Sequence, residues 1–265
     1  MANTKPLALV TGASSGIGRE LAKQFAAYGF DLVISAEDNA LETAAVELRT
    51  NSDGIQVHPV RADLRSYDGV EQLYAVVTAT DRPLAAAALN AGIGRGGAFI
   101  DIDLADELEI IDLNIVSTVH LAKLLLPDMV ARGEGRVLIT SSIASTMPGS
   151  FQAVYNASKS FVQSFAEALQ NELKDTGVSV TLLMPGPTET RFFERAGMED
   201  TPVGQSSKDD PAVVAEQGFE ALMAGRDKVI AGSLKTKAQG LANKVIPDKL
   251  KTAAHRKMTK PQSKE

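Results

Sequence analysis

The 265-residue chain contains no cysteine, which removes disulfide frameworks, thiolate zinc sites, iron–sulfur clusters and cysteine nucleophiles together. Histidine is scarce: His58, His120 and His255 stand too far apart for an HExxH pair, so no metal site is expected. The N-terminus lacks a basic segment followed by an apolar run, and no stretch of about 18 apolar residues occurs, a pattern expected of a soluble, cytoplasmic protein. A basic stripe for nucleic acid is also missing, since the formal net charge is −6. Residues 233–265 depart from that balance, with 9 Lys and Arg against 2 acids, which leaves a net −13 on residues 1–232. No fixed-period repeat, Gly-Ser linker or low-complexity block interrupts the chain.

What is present suits a globular fold, with 44% hydrophobic and 23% charged residues and enough length for a large core. Short runs rich in Val, Ile and Leu predict seven strands, at Leu7–Thr11, Asp31–Ala36, 55–60, Leu84–Leu89, 136–141, 178–184 and Lys228–Ala231. Helical patterns fall between them, at 18–28, 41–49, 67–80, 105–131, 155–174 and 211–224. Unalternating strands separated by helices of crossover length require a parallel sheet covered on both faces. The fold class is therefore α/β, a single doubly wound Rossmann-type sheet of about seven strands. Residues 1–232 are expected to form this one domain, and 233–265 a basic amphipathic extension. Residues 191–210 are the longest segment without a clear period, and loops of that length are usually functional.

The first strand runs straight into Gly12-Ala13-Ser14-Ser15-Gly16-Ile17-Gly18, which opens a helix. Gly12 permits a tight exit, Gly16 and Gly18 allow close approach of backbone and ligand, and free helix-start amides favour a pyrophosphate. No Lys-Ser/Thr pair follows, so this is not a Walker A loop. Glu37 lies about 20 residues further on, where a carboxylate accepts from both adenosine ribose hydroxyls and repels a 2′-phosphate. NAD is thus preferred over NADP, although the same carboxylate could simply open a solvated loop.

Tyr155 and Lys159 are four residues apart near the start of a helix, so phenol and ammonium share one face. Bringing a phenol from its ordinary pKa of about 10 to about 7 takes roughly 4 kcal/mol of differential interaction. The lysine, a nicotinamide cation and the helix start together could supply it, making a general acid or base for a carbonyl/alcohol pair. Alone, YxxxK is a common surface pair. Ser142, however, stands thirteen residues earlier, at the end of a predicted strand. Asp63-Leu64, Leu89-Asn90-Ala91-Gly92, Leu113-Asn114 and Pro185-Gly186-Pro187-Thr188-Glu189-Thr190 face the same sheet edge, where open α/β sheets bind ligands.

With these motifs in this order, the chain resembles the short-chain dehydrogenase/reductase superfamily from Leu7 to about Gly232. The resemblance implies Tyr155 as proton donor or acceptor, Ser142 holding the substrate oxygen, Lys159 binding the nicotinamide ribose and lowering the tyrosine pKa, and Asn114 anchoring a water. It places Asp63 and Leu64 beside adenine, and Asn90, Ala91 and Gly92 along the cofactor. It puts Thr188 and Thr190, next to Pro185 and Gly186, at the carboxamide and pyrophosphate. The function implied is hydride transfer between a nicotinamide cofactor and a secondary alcohol or its ketone. A catalytically silent dinucleotide-binding sensor or scaffold is the alternative.

Departures from the family pattern are Leu89 in place of the usual asparagine, and Glu37 where members of this look often carry arginine and use NADP. In the segment 191–210, which corresponds to the family's substrate loop, Phe192, Phe193 and Met198 are candidates for an apolar pocket. Gly94–Gly97 and 147–151 are candidates for its other walls. Phe161, Phe165 and Leu169 make a second stripe on the Tyr155 helix, and the resemblance implies pairing through it and 105–131, giving a homodimer or homotetramer. In the extension, Leu234, Ala238, Leu241 and Val245 recur at helical spacing, as do Leu250, Ala254 and Met258 beyond Pro247. Docking on an acidic neighbouring subunit, packing on its own core and loose attachment to an anionic membrane are its three candidate roles.

Overall fold

The computed structural model describes residues 5–243 and 246–262. All seven expected strands form: β1 (Leu7–Thr11), β2 (Asp31–Ala36), β3 (Val57–Arg61), β4 (Leu84–Leu89), β5 (Gly135–Thr140), β6 (Val178–Pro185) and β7 (Lys228–Ala231). They make one parallel sheet in the order β3-β2-β1-β4-β5-β6-β7. Every residue of β1 and β2 is buried, which is why neither strand alternates in hydrophobicity. The chain winds outward from β1 to β3, then returns to lay β4 on the other side of β1, and that reversal opens a crevice at the carboxyl ends of β1 and β4.

Helices α1 (Gly16–Ala27) and α2 (Ala40–Asn51) share one face with α9 (Pro211–Met223). There Phe25 meets Phe219 edge-on, ring centroids 5.0 Å apart. The other face carries α3 (Tyr67–Ala79), α5 (Ser117–Arg132) and α6 (Ala153–Glu172). The helix expected over 105–131 is in fact α4 (Leu104–Ile111) and α5 joined by a π-helical turn, Asp112–Val116, which contains Asn114. Helix 104–132 reaches a mean hydropathy of 1.4 over 18 residues, yet Leu121, Leu125 and Met129 pack on the sheet, as in a core helix.

Residues 191–210, expected as a loop, hold two one-turn helices, α7 (Phe192–Arg195) and α8 (Pro202–Gln205). The extension forms α10 (Leu234–Ala242) and α11 (Asp248–Thr259), and both lie on their own chain. Lys251 Nζ donates to the Thr146 carbonyl at 2.9 Å, Asn243 Nδ2 to Thr146 Oγ1 at 2.9 Å, and Thr259 Oγ1 to the Ser150 carbonyl at 2.7 Å. The hydrophobic stripe read from sequence faces inward only in part: Met258 packs against the Phe193 cluster, Leu234, Ala238, Leu250 and Ala254 are exposed, and Thr236, His255 and Thr259 are buried. The reason is that the surface beneath presents backbone carbonyls, which need donors more than methyl groups. Val245 and the side chain of Leu241 lie outside the described residues.

The spacing between α1 and β1 leaves no room for a side chain at Gly18, where a Cβ would stand 2.2 Å from the Gly12 carbonyl oxygen. Gly18→Ala is expected to cost about 3 kcal/mol through forced displacement of backbone. Denaturant midpoints followed by circular dichroism measure this, and an unchanged midpoint would show that α1 can retreat freely.

Candidate functional site

Gly12 and Gly16 adopt left-handed φ values of 68° and 54°, so the loop after β1 takes a course that other residues rarely follow. A Cβ on Gly12 would come within 3.0 Å of Ala91 Cα, and one on Gly16 within 2.8 Å of Thr190 Cγ2. Ser15 caps α1 in extended conformation without a side-chain hydrogen bond, and no acidic residue occupies the first turn. The helix start therefore offers unsatisfied amides to the crevice, as an anionic pyrophosphate requires. Ser14 Oγ donates to Asp38 Oδ2 at 3.1 Å, tying the loop to the end of β2.

At the rim beyond β2, the fold supplies an arginine that sequence distance hid. Arg65 Nη2 lies 2.9 Å from Glu37 Oε2, while Arg65 Nε donates to Asp63 Oδ1 at 2.8 Å and Nη1 reaches Glu109 Oε2 at 3.1 Å. Hydrogen bonding from Arg65 holds the Asp63 carboxyl below its ordinary range. One guanidinium thus serves three carboxylates, and this corner stays net negative.

The floor of the crevice is a polar lattice. Thr11 Oγ1 accepts from the amides of Asn90 and Ala91 at 2.9 and 3.0 Å. Asn90 Nδ2 donates to the Thr11 carbonyl at 3.2 Å and its Oδ1 accepts from Thr140 Oγ1 at 3.1 Å. The Thr140 carbonyl in turn accepts from Lys159 Nζ at 3.0 Å. Asn114, 1% exposed, is aimed by its π turn at the next loop: Oδ1 accepts from the Ile93 amide, and Nδ2 donates to the Ile93 carbonyl and Ser158 Oγ, each at 2.9 Å.

Tyr155 enters from the first turn of α6, beside Phe192, with ring centroids 5.1 Å apart. Burial pushes its phenol up to about 12, against the hydrogen bond with Ser142, which pulls down. The expected phenol near neutrality is therefore not produced by protein groups alone. The Lys159 ammonium lies 6.0 Å from the ring centroid and is spent on Thr140, and burial lowers its own pKa to about 8. No carboxylate pairs with Lys159 among the described residues.

Every residue given a catalytic or cofactor-binding role from sequence lines this one cleft except Asn114, which stands behind Gly92. The cleft has the glycine cradle and the uncapped helix start that a dinucleotide's pyrophosphate needs, with Glu37 at its rim. Met198 is fully buried against Phe193, Ala196 and Val203 and packs the lid, whereas Phe192 and Phe193 reach the cleft. Among the walls, Gly94 and Met147 line it. Sequence reading missed Thr11 and Thr140, whose hydroxyls give no motif, and Gln152, which three-residue spacing from Tyr155 could have revealed. It also missed Asp38, which receives Arg195 at 3.0 Å and Arg191 at 3.4 Å and so fastens the lid to the rim.

Because the folded pKa of Lys159 lies below its ordinary 10.5, the unfolded chain binds more protons between about pH 8 and 10.5. Stability should therefore rise with pH across that window and be flat in this respect below it. Lys159→Met should abolish the rise and melt no lower than wild type at pH 7. Thermal melts at several pH values check this, and a lower melting point with the slope intact would refute it.

Residues 6–200 match the family model described as short chain dehydrogenase. Oxidoreductase UcpA of Salmonella typhimurium is 31% identical over 83% of this chain and 81% of its own. Sulfoacetaldehyde reductase 2 of Chromohalobacter salexigens is 32% identical over 82% and 86%. Among solved structures, a short-chain dehydrogenase from Sphingobium yanoikuyae in complex with NADPH superposes with a TM-score of 0.79, at 28% identity over 85% of this chain and 87% of that one. A short-chain dehydrogenase/reductase from Burkholderia phymatum in complex with NAD gives 0.82, at 25% identity over 100% of both. Sequence, sheet order and cleft agree: the chain belongs to the short-chain dehydrogenase family of nicotinamide-dependent oxidoreductases.

Proposed function

We propose that the protein interconverts a secondary alcohol and its ketone with NAD, using Tyr155 as general acid and base. The observation that carries this is that Tyr155, Ser142 and the buried Lys159 line one cleft beside the glycine loop, with Tyr155 and Lys159 on the same face of α6. The nicotinamide ring supplies the hydride or accepts it. In reduction Tyr155 gives its proton to the carbonyl oxygen while Ser142 holds that oxygen. Lys159 makes the resulting phenolate less costly and reaches the ribose side of the cleft. Asn114 positions the Ile93 segment and α6 rather than touching substrate.

A phenol held high is a ready acid and a reluctant base at pH 7. Alcohol oxidation should therefore rise with pH through the neutral range, by up to about tenfold per unit, while ketone reduction stays nearly flat. A flat pH–rate profile for oxidation would remove Tyr155 as the base. Tyr155→Phe should keep its cofactor affinity yet lose turnover by about a thousandfold or more. Unchanged turnover in that variant would leave a silent dinucleotide-binding protein as the better reading.

Preference for NAD rests on Glu37. A 2′-phosphate there would meet three carboxylates sharing the single Arg65 charge, while Arg191 and Arg195 are engaged by Asp38. Wild type should favour NAD by about tenfold or more in kcat/KM, and Glu37→Arg should reverse the order. Equal use of both by wild type would mean that Glu37 does not meet the ribose.

Self-association is supported by apolar side chains left exposed on the helices that the family resemblance singled out: Phe161 on α6, Leu108 on α4 and Val116 in the π turn. Sedimentation should report a dimer or tetramer that Phe161→Asp dissociates.

A further inference from the structure

Gln152 immediately precedes α6, three residues before Tyr155, and is 7% exposed. Its backbone amide is used, donating to the Gly149 carbonyl at 3.1 Å, but no hydrogen bond holds its side-chain amide. That side chain lines the cleft together with Tyr155, Phe192 and residues of the C-terminal extension. The amide opens on the cleft without a partner among the described residues, so it is available to a polar group that enters there.

The wall opposite is built by α11. Met258 packs against the lid cluster around Phe193, and α11 rests on α8. Two buried side chains fix this helix in place. His255 Nδ1 lies 3.1 Å from the Ser150 carbonyl and its Nε2 lies 3.4 Å from Asn156 Nδ2, so the imidazole donates on one side and accepts on the other. Thr259 Oγ1 donates to Ser150 at 2.7 Å. Since His255 and Thr259 are committed to holding the wall, Gln152 is an uncommitted hydrogen-bonding group three residues from the phenol. Around it, Met147, Phe192, Phe193 and Met258 are apolar, and the cations that line the cleft are already engaged, Lys159 by the Thr140 carbonyl and Arg191 and Arg195 by Asp38.

We propose that Gln152 binds a second, uncharged hydrogen-bonding group on the substrate, a hydroxyl, carbonyl or amide a few bonds from the reacting carbon, while α11 covers its apolar body. This rests on the oxidoreductase reading and narrows it to a neutral ketone or secondary alcohol bearing one further polar group. An anion would have to compete with Thr140 or Asp38 for the cations that line the cleft, and a plain hydrocarbon ketone would leave the amide unpaired.

The test compares cyclohexanone with 3- and 4-hydroxycyclohexanone and with the 1,3- and 1,4-diones, using wild type, Gln152→Met and Tyr155→Phe. Wild type should favour at least one functionalised ketone over cyclohexanone by about tenfold to a hundredfold in kcat/KM. Gln152→Met, which keeps the shape of the side chain, should erase that preference chiefly through KM. Its cofactor affinity, its turnover of cyclohexanone and its melting temperature should hold or improve. The same preference in both proteins, or none in wild type, overturns the inference while leaving the oxidoreductase reading intact. If wild type turns over none of the panel, melting shifts with the same ketones in the cofactor-loaded Tyr155→Phe protein decide. A shift that Gln152→Met removes when added to that background supports the subsite, and the absence of any shift sinks it. Loss of cofactor binding by wild type itself would instead remove the underlying reading.

Discussion

A buried ammonium with no carboxylate beside it governs the architecture of this cleft. Lys159 is 5% exposed, donates to one backbone carbonyl at the end of β5, and is pushed by burial to a pKa of about 8. Such a charge is costly in a fold that uses it only for structure. Its position explains several neighbours at once. A Cβ on Gly92 would stand 3.1 Å from the ammonium and from Asn114 Oδ1, so a side chain there would push both aside. Thr140 must end its strand where its carbonyl is free to accept, and α6 must start where phenol and ammonium share one face.

The surrounding lattice converts that local demand into precision. Thr11, Asn90 and Thr140 link the ends of β1, β4 and β5 through side-chain hydrogen bonds, so the three strands that border the crevice keep a fixed offset. Asn114 extends the lattice to the 104–132 helix. The π turn is what brings its amide onto Ile93 and Ser158, and an uninterrupted α-helix would rotate that side chain away. Preorganisation of this kind lets the site act on a developing charge without rearranging first.

Covers are treated differently from floor. The lid is fastened by ion pairs at the rim, Arg191 and Arg195 to Asp38, and by backbone contact between Gly96 and Ala196 at 2.8 Å. Exposed ion pairs are individually weak, so this cover is held less firmly than the floor. The C-terminal helix is pinned instead by buried hydrogen bonds to the 146–150 turn, so the two covers differ in how readily they open.

The linear sequence was enough to determine the seven parallel strands, the glycine turn and the Ser142, Tyr155, Lys159 set. Each rests on short-range pattern: apolar runs of strand length, glycines where φ must be positive, and a four-residue step along one helix. It was also enough to bring nineteen of the named residues to one cleft, because the sheet order puts all the relevant strand ends on one edge. Only tertiary structure decided the rest. Arg65 reaches Glu37 across 28 residues of chain, and Arg195 reaches Asp38 across 157. Hydrophobic spacing marked α10 and α11 as amphipathic but not what their inner face meets: Lys251, His255 and Thr259 of α11 meet the Thr146 and Ser150 carbonyls, and Met258 meets the Phe193 cluster. The phenol's pKa, too, is set by how much protein surrounds it, a property of three-dimensional density that no spacing of residues records.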